Sequence, residues 1–179
     1  DLPALPPRAA GDQRLRELIA VHLHSARGID CSAENIIVTA GTSDGLALTL
    51  QSQTGGASGL RIATENPGYP TARRVIRALG ASPIPIPVRD GGIDVDALKR
   101  APGQIDGALV TASHQYPLGG RLPVSARLDL LAWSQETGAR IFEDDYDSEF
   151  RHGAPPLPAI ASLDRDGRVV LIGSYSKTL

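Results

Sequence analysis

Apolar positions along this chain switch repeatedly between a helical spacing and short unbroken runs. Leu15, Leu18, Ile19 and Leu23 recur at the spacing of one helix face, and Gly28 closes that segment. Residues 35–41 (NIIVTAG) then read as a short β-branched strand, and TSDGLALTLQSQ resumes helical character. LRIATENPGYP is a strand running into a turn, followed by the helical TARRVIRALGA. PIPIPV reads as a strand with prolines of the edge type. DVDALKRA predicts a helix, GALVTA a strand, ARLDLLAWSQETGA a helix and RIFEDD a strand. Val169, Val170, Leu171 and Ile172 form a run with no polar break, which predicts a strand buried on both faces. Gly-, Pro- and Ser-rich stretches such as QTGGASG and RDGGID are connectors. Strands alternating with helices predict the α/β class: a three-layer fold with a mainly parallel sheet covered by helices on both faces.

Composition narrows the functions such a fold could serve. The 179 residues suffice for one domain with a substantial core. Lysine plus arginine number 18 against 20 aspartates and glutamates, a net charge of -2 with no basic block, which argues against nucleic-acid binding by this segment. Apolar runs fall far short of the roughly 18 residues of a membrane span, and DLPALPPRAAG lacks the apolar core of a signal peptide. A single cysteine, Cys31, excludes an internal disulfide framework, fits a cytoplasmic setting and reads as a small residue near a turn.

The polar residues with chemical potential lie just after strands, the edge at which open α/β sheets bind ligands. In TAGTSDG, Gly41 turns the chain into a helix beginning near Thr42 and Ser43, whose free N–H groups could hold a phosphate or could simply be capped. In ENPGYP a Pro-Gly turn presents Tyr69, for packing or for stacking on a planar ring. RIFEDDYDSEF ends a strand in Glu143, Asp144 and Asp145, then Tyr146 and Asp147. Crowded carboxylates need a compensating cation or solvent. An EF-hand loop counted from Asp145 would need glycine where Phe150 stands, so calcium is set aside, while a solvated acidic turn stays open for Glu143, Asp147 and Glu149.

Lys177 follows the last strand in IGSYSKTL. A P-loop fails there, because Ser176 stands where the second glycine belongs. A lysine can also form a Schiff base with a carbonyl cofactor. That chemistry needs a carboxylate for a pyridine nitrogen, a phenol or amide near a ring hydroxyl, a stacking ring and a phosphate cup. Each type is present at a separate strand end.

LRELIAVHLHSARGIDCSAENIIVTAGTSDGL, ENPGYPTARRV, TASHQYPLGGRLPVSARLDLLAW, EDDYDSEFRHG and IGSYSKTL, in that order, resemble the fold-type I pyridoxal-phosphate proteins of the aspartate aminotransferase superfamily. Their wording is most similar to the aminotransferase-like domain of MocR-type regulators in the GntR group. The resemblance implies that Lys177 forms the Schiff base with pyridoxal 5'-phosphate, that Asp144 pairs with the pyridine nitrogen and that Tyr146 bonds the phenolic oxygen. It further implies that Tyr69 lies over the ring and that Thr42, Ser43, Ser174 and Ser176 contact the phosphate. Tyr116 or Gln115 falls where many aminotransferases carry an asparagine facing the ring oxygen. His114 reads as structural, and His22, His24 and His152 as surface or packing residues. Ala112 and the pair Ser43-Asp44 depart from the family's usual proline and Gln-Gln, which touches the detail of the phosphate loop.

By the same resemblance, residues 1–179 are a partial large domain, without the winged-helix domain and the C-terminal small domain of the family. DNA would then be reached only through the missing domain. The parent would form a homodimer, and an isolated piece would expose apolar surface. The implied role is an effector domain that senses an amino acid or amine through the Lys177 Schiff base. The alternative is a fragment of a free-standing aminotransferase passing an amino group to a 2-oxo acid. Sustained transamination is not expected of the 179 residues alone.

Overall fold

In the computed structural model, which describes residues 9–53, 55–147 and 157–176, the predicted alternation becomes one six-stranded sheet. Its strands are β1 (Arg61–Asn66), β2 (Ser82–Arg89), β3 (Gly92–Ile93), β4 (Gly107–Val110), β5 (Arg140–Asp145) and β6 (Val169–Gly173). They lie in the order β3-β2-β1-β4-β5-β6, and only β3 runs antiparallel to its neighbour. Alternate side chains of these strands feed two cores. Ile62, Leu109 and Phe142 pack with Leu46 and Leu50 of α2 (Thr42–Gln51) and Ile76 of α3 (Pro70–Ala78). On the other face Ala63, Val110 and Ile141 meet Leu98 of α4 (Val95–Lys99), Leu130 and Trp133 of α5 (Val124–Thr137) and Ile160 of α6 (Ile160–Leu163). This is the three-layer α/β arrangement that the sequence pattern predicts.

The chain leaves β1 toward β2 and β3, then returns to β4 on the opposite side of β1. The crevice between the carboxyl ends of β1 and β4 is therefore the sheet's topological switch point, where such folds place ligands. The prolines of β2 suit its position. Ser82 donates its N–H to Leu60 O at 2.7 Å, on the β1 side, so the alternate residues Pro83, Pro85 and Pro87 direct their missing N–H groups to the outer edge.

Three expectations are corrected. Ile36 is extended, but residues 36–39 join no strand among the described residues; Val38 N donates instead to Ala10 O at 3.0 Å. β6 pairs with β5 alone among the described residues, and only Ile172 of its apolar run is buried; half-buried Val169 and Val170 pack on opposite cores, so the strand is covered only in part on each face. A trough of about 970 Å³ separates β6 from residues 36–41. The stripe on α1 (Gln13–Arg27) divides as well: Ile19 and Leu23 line that trough, while Leu15, Leu18 and Val21 stand exposed.

The short elements had no strong periodic signal. α4 is held at its start by Asp94, which accepts from Ala97 N at 2.9 Å and lies 3.1 Å from Arg89. Asp94→Ala is expected to lower stability by about 1 kcal/mol, seen as a lower urea midpoint. α6 begins on Glu143, whose two oxygens accept from Ile160 N at 3.0 Å and Ala161 N at 2.9 Å. Glu143 is wholly buried, so its reading as part of a solvated turn is overturned.

Candidate functional site

β5 carries Asp144 to the carboxyl edge of the sheet. Its Oδ1 is buried and accepts no hydrogen bond among the described residues. Burial, followed by the nearby charges of Asp145, Glu65 and Asp147, pushes its carboxyl up to about 6. Tyr69 reaches the same place from the turn after β1. That turn needs glycine at 68, because a Cβ there would lie 2.4 Å from Glu65 O. Tyr69 and Asp144 join Thr64, Leu109 and Thr111 in walling a cavity of about 20 Å³. The structure thus brings together two of the predicted residues, a half-exposed aromatic ring and a carboxyl without a partner.

Tyr146 lines the trough beside β6, and Tyr116 reaches the cavity only through Tyr69. The Tyr146 hydroxyl donates to His114 O at 3.1 Å, and its ring stacks on the His114 ring at 6.1 Å and 16°. Burial and the surrounding carboxylates raise its phenol to about 12, so it stays protonated at neutral pH. His114 Nδ1 in turn meets Asp147 at 2.5 Å, which supports the structural reading of His114. Tyr116 packs edge-on against Tyr69 with centroids 5.8 Å apart. Gln115 is buried and donates to Pro67 O at 3.0 Å and Glu65 Oε2 at 3.2 Å, so its amide ties the loop to β1.

Thr42 and Ser43 occupy the first turn of α2, and Gly41 before them has φ 139° and makes no side-chain cap. One turn on, Gly45 approaches β6: a Cβ there would sit 3.5 Å from Ile172 Cγ2. This contact sets the start of α2 beside the end of β6, where Ser174 Oγ bonds Ser176 Oγ at 3.0 Å. Gly41, Ser174 and Ser176 line the trough between them. Asp44 Oδ2 accepts from Ala40 N at 3.0 Å, so one N–H at this end is already engaged. Lys177 lies outside the described residues, as do Glu149 and His152. Among the other histidines, His24 meets Asp30 at 2.6 Å and His22 packs edge-on to Tyr175. Burial, with Asp30 nearby, pushes the Cys31 thiol up, which disfavours the thiolate.

Two residues that no local motif marked also shape the site. Arg27, at the end of α1, meets Asp145 Oδ2 at 2.5 Å, and both side chains are nearly inaccessible. That pair neutralises the carboxylate next to Asp144. Glu65 is 4% exposed and receives hydrogen bonds on Oε2 from the Thr111 hydroxyl at 2.5 Å and Thr111 N at 3.3 Å. A carboxylate within the strand RIATEN is the one local signal for Glu65, and the structure buries it there.

Residues 5–179 match the model of the family described as aminotransferase class I and II. The chain belongs to that family. It is 42% identical to the HTH-type pyridoxine biosynthesis transcriptional regulator PdxR of Corynebacterium glutamicum over 98% of its own length and 38% of that protein's. It is 39% identical to the probable rhizopine catabolism regulatory protein MocR of Rhizobium meliloti, over 94% of its own length and 34% of that protein's. The chain therefore spans little more than a third of either relative, and its sequence groups with the aminotransferase-like domains of MocR-type regulators. Its fold-type I architecture also superposes on the α-aminoadipate aminotransferase of Thermus thermophilus, solved with N-(5'-phosphopyridoxyl)-L-leucine. The TM-score is 0.85 at 28% identity, covering 99% of this chain and 44% of that one. No helix among the described residues is long and apolar enough to cross a membrane. An aminotransferase-family domain is expected to hold a protonated pyridine ring, and the unpartnered Asp144 oxygen on a wall shared with Tyr69 fits that group.

Proposed function

We propose that this chain is the pyridoxal-phosphate-binding effector domain of a MocR/GntR-type transcriptional regulator, sensing an amino compound through Lys177. The observation that carries the cofactor reading is the Asp144 carboxyl, buried at the switch-point edge with no hydrogen-bond partner on Oδ1 among the described residues. An acid left that way is costly unless a ligand completes it. Pyridoxal phosphate bound there supplies a carbonyl carbon that captures amines and a cationic ring that withdraws electrons. Asp144 would pair with the ring nitrogen, Tyr69 would stack on the ring, and the Tyr146 hydroxyl, which donates to His114 O in the structure, would turn to the ring's phenolic oxygen. Tyr116 packs against Tyr69. Thr42, Ser43, Ser174 and Ser176 would hold the phosphate, where the start of α2 would add its dipole.

The regulator reading rests on identities of 42% and 39% to named regulators, above the 28% to the aminotransferase. Binding of an amino acid or amine would bias a conformational equilibrium that a DNA-binding domain elsewhere in the full-length protein reads. The exposed Leu15, Leu18, Val21 and Ile37 suit a homodimer of that protein. The alternative, a class I/II aminotransferase proper, is supported by the superposition on that enzyme's large domain and is tested by turnover of 2-oxo acid.

These 179 residues hold two lysines, Lys177 and the exposed Lys99, and peptide mapping separates them from each other and from lysines elsewhere in the full-length protein. Full-length protein is mixed with pyridoxal phosphate, reduced with borohydride and mapped by peptide mass. The label is expected on Lys177, with a visible absorption band that disappears in Lys177→Ala. Label on Lys99 alone, or none in the full-length protein, overturns the reading.

A further inference from the structure

We propose that Glu65 is a positioning residue, the second acid of the Asp144 pocket, and that the two carboxyls hold one proton between them. Glu65 stands at the end of β1 on one side of the switch-point crevice, and Thr111 just beyond β4 on the other. Oε2 takes the Thr111 hydroxyl, Thr111 N and Gln115 Nε2, and the Ile93 backbone N–H also favours the charged form. Oε1 is buried and accepts none, as is true of Asp144 Oδ1. Both residues wall the cavity of about 20 Å³, which has room for about one water molecule. Both carboxyls therefore face one small space, and the charge of Glu65 disfavours ionisation of Asp144. Their titration then belongs to the pair.

The division of the proton follows from the neighbours. The donors on Glu65 stabilise its charged form, whereas Asp144 Oδ1 has none, so the shared proton resides mainly on Asp144. Among the other charges around the pair, Asp145 is paired with Arg27, and Asp147 lies against the His114 ring. Tyr69 walls the same cavity, the Tyr146 hydroxyl is taken by His114 O, and Arg73 of α3 donates to Gly68 O. Burial raises both carboxyls, and Glu65 adds to the rise at Asp144. The pair's role toward a ligand rests on the cofactor reading: with the proton released, two acids rather than one face the ring nitrogen and raise its hold on its proton.

The test is carboxyl ¹³C NMR titration of the full chain without cofactor, in the wild type, Glu65→Gln and Thr111→Val. The Asp144 midpoint, near 6 in the wild type, is expected to fall by about one pH unit in Glu65→Gln. Thr111→Val removes the hydroxyl donor from Glu65, moves the proton toward Glu65 and lowers the Asp144 midpoint as well. A merely structural Glu65 would change stability and leave the midpoint in place. Thr111→Val decides the matter should Glu65→Gln fail to fold, and an unchanged midpoint in the folded variants overturns the pair. Because no cofactor is present, that outcome leaves labelling at Lys177 untouched, and failed labelling leaves the titration untouched.

Discussion

Asparagine in place of Asp144 is expected to weaken pyridoxal phosphate binding by roughly 10- to 100-fold. A hydrogen bond between a carboxylate and a cationic N–H contributes about 1.5–3 kcal/mol, and each 1.4 kcal/mol is a tenfold change in affinity. The asparagine amide keeps the shape of the side chain and loses the charge, which isolates the electrostatic part. The pH dependence has a definite sign. The ionised acid is the form that pairs with a cationic ring nitrogen, and in the free protein burial holds Asp144 up to about 6. Affinity should therefore rise as pH climbs through about 6 and fall below it, while the Asn variant loses this part of the slope. Equilibrium titrations at pH 5.5 and pH 8 in both proteins measure the difference. Wild-type affinity with an unchanged slope in the variant would remove Asp144 from the ring.

The site residues legible in the sequence were those whose signal is local. Tyr69 is displayed by a Pro-Gly turn, and Asp144 and Tyr146 follow an apolar strand, so their presence at the ligand-binding edge could be read from a few neighbours. Glu65 could not, because its burial depends on Thr111 and Gln115, 46 and 50 residues away. Arg27 likewise closes a helix in the ordinary manner of a basic residue in a last turn, and only the fold shows that it meets Asp145. The strand expected at residues 35–41 failed for a related reason. β-branched residues favour an extended backbone, but a strand also needs a neighbouring ladder, and propensity carries no information about the neighbour. The same limit applies to β6, whose apolar run announces burial that β5 alone does not provide.

The fold's response to losing Arg127 should be larger than that of any cap. Arg127 is fully buried and serves three carbonyls from three places in the chain: Nε to Leu122 O at 2.8 Å, Nη1 to Pro158 O at 2.8 Å and Nη2 to Ala112 O at 2.6 Å. Its guanidinium also stands 3.9 Å from Glu143, the carboxylate that starts α6. Arg127→Leu would leave those carbonyls and a buried carboxylate without their donor and cation, a loss of about 3–5 kcal/mol. Lysine should restore little of it, because one ammonium cannot spread to three carbonyls as the planar fork does. Burial already raises the Glu143 carboxyl, and removing the cation raises it further. An acid whose folded pKa is raised loses stability as pH rises from its ordinary carboxylate range through the folded value, since the unfolded chain gives up the proton first. The deficit of Arg127→Leu should therefore be smaller at pH 5 than at pH 8. Urea unfolding at the two pH values measures it, and a deficit below about 1 kcal/mol at pH 8 would show that the carbonyls find other donors.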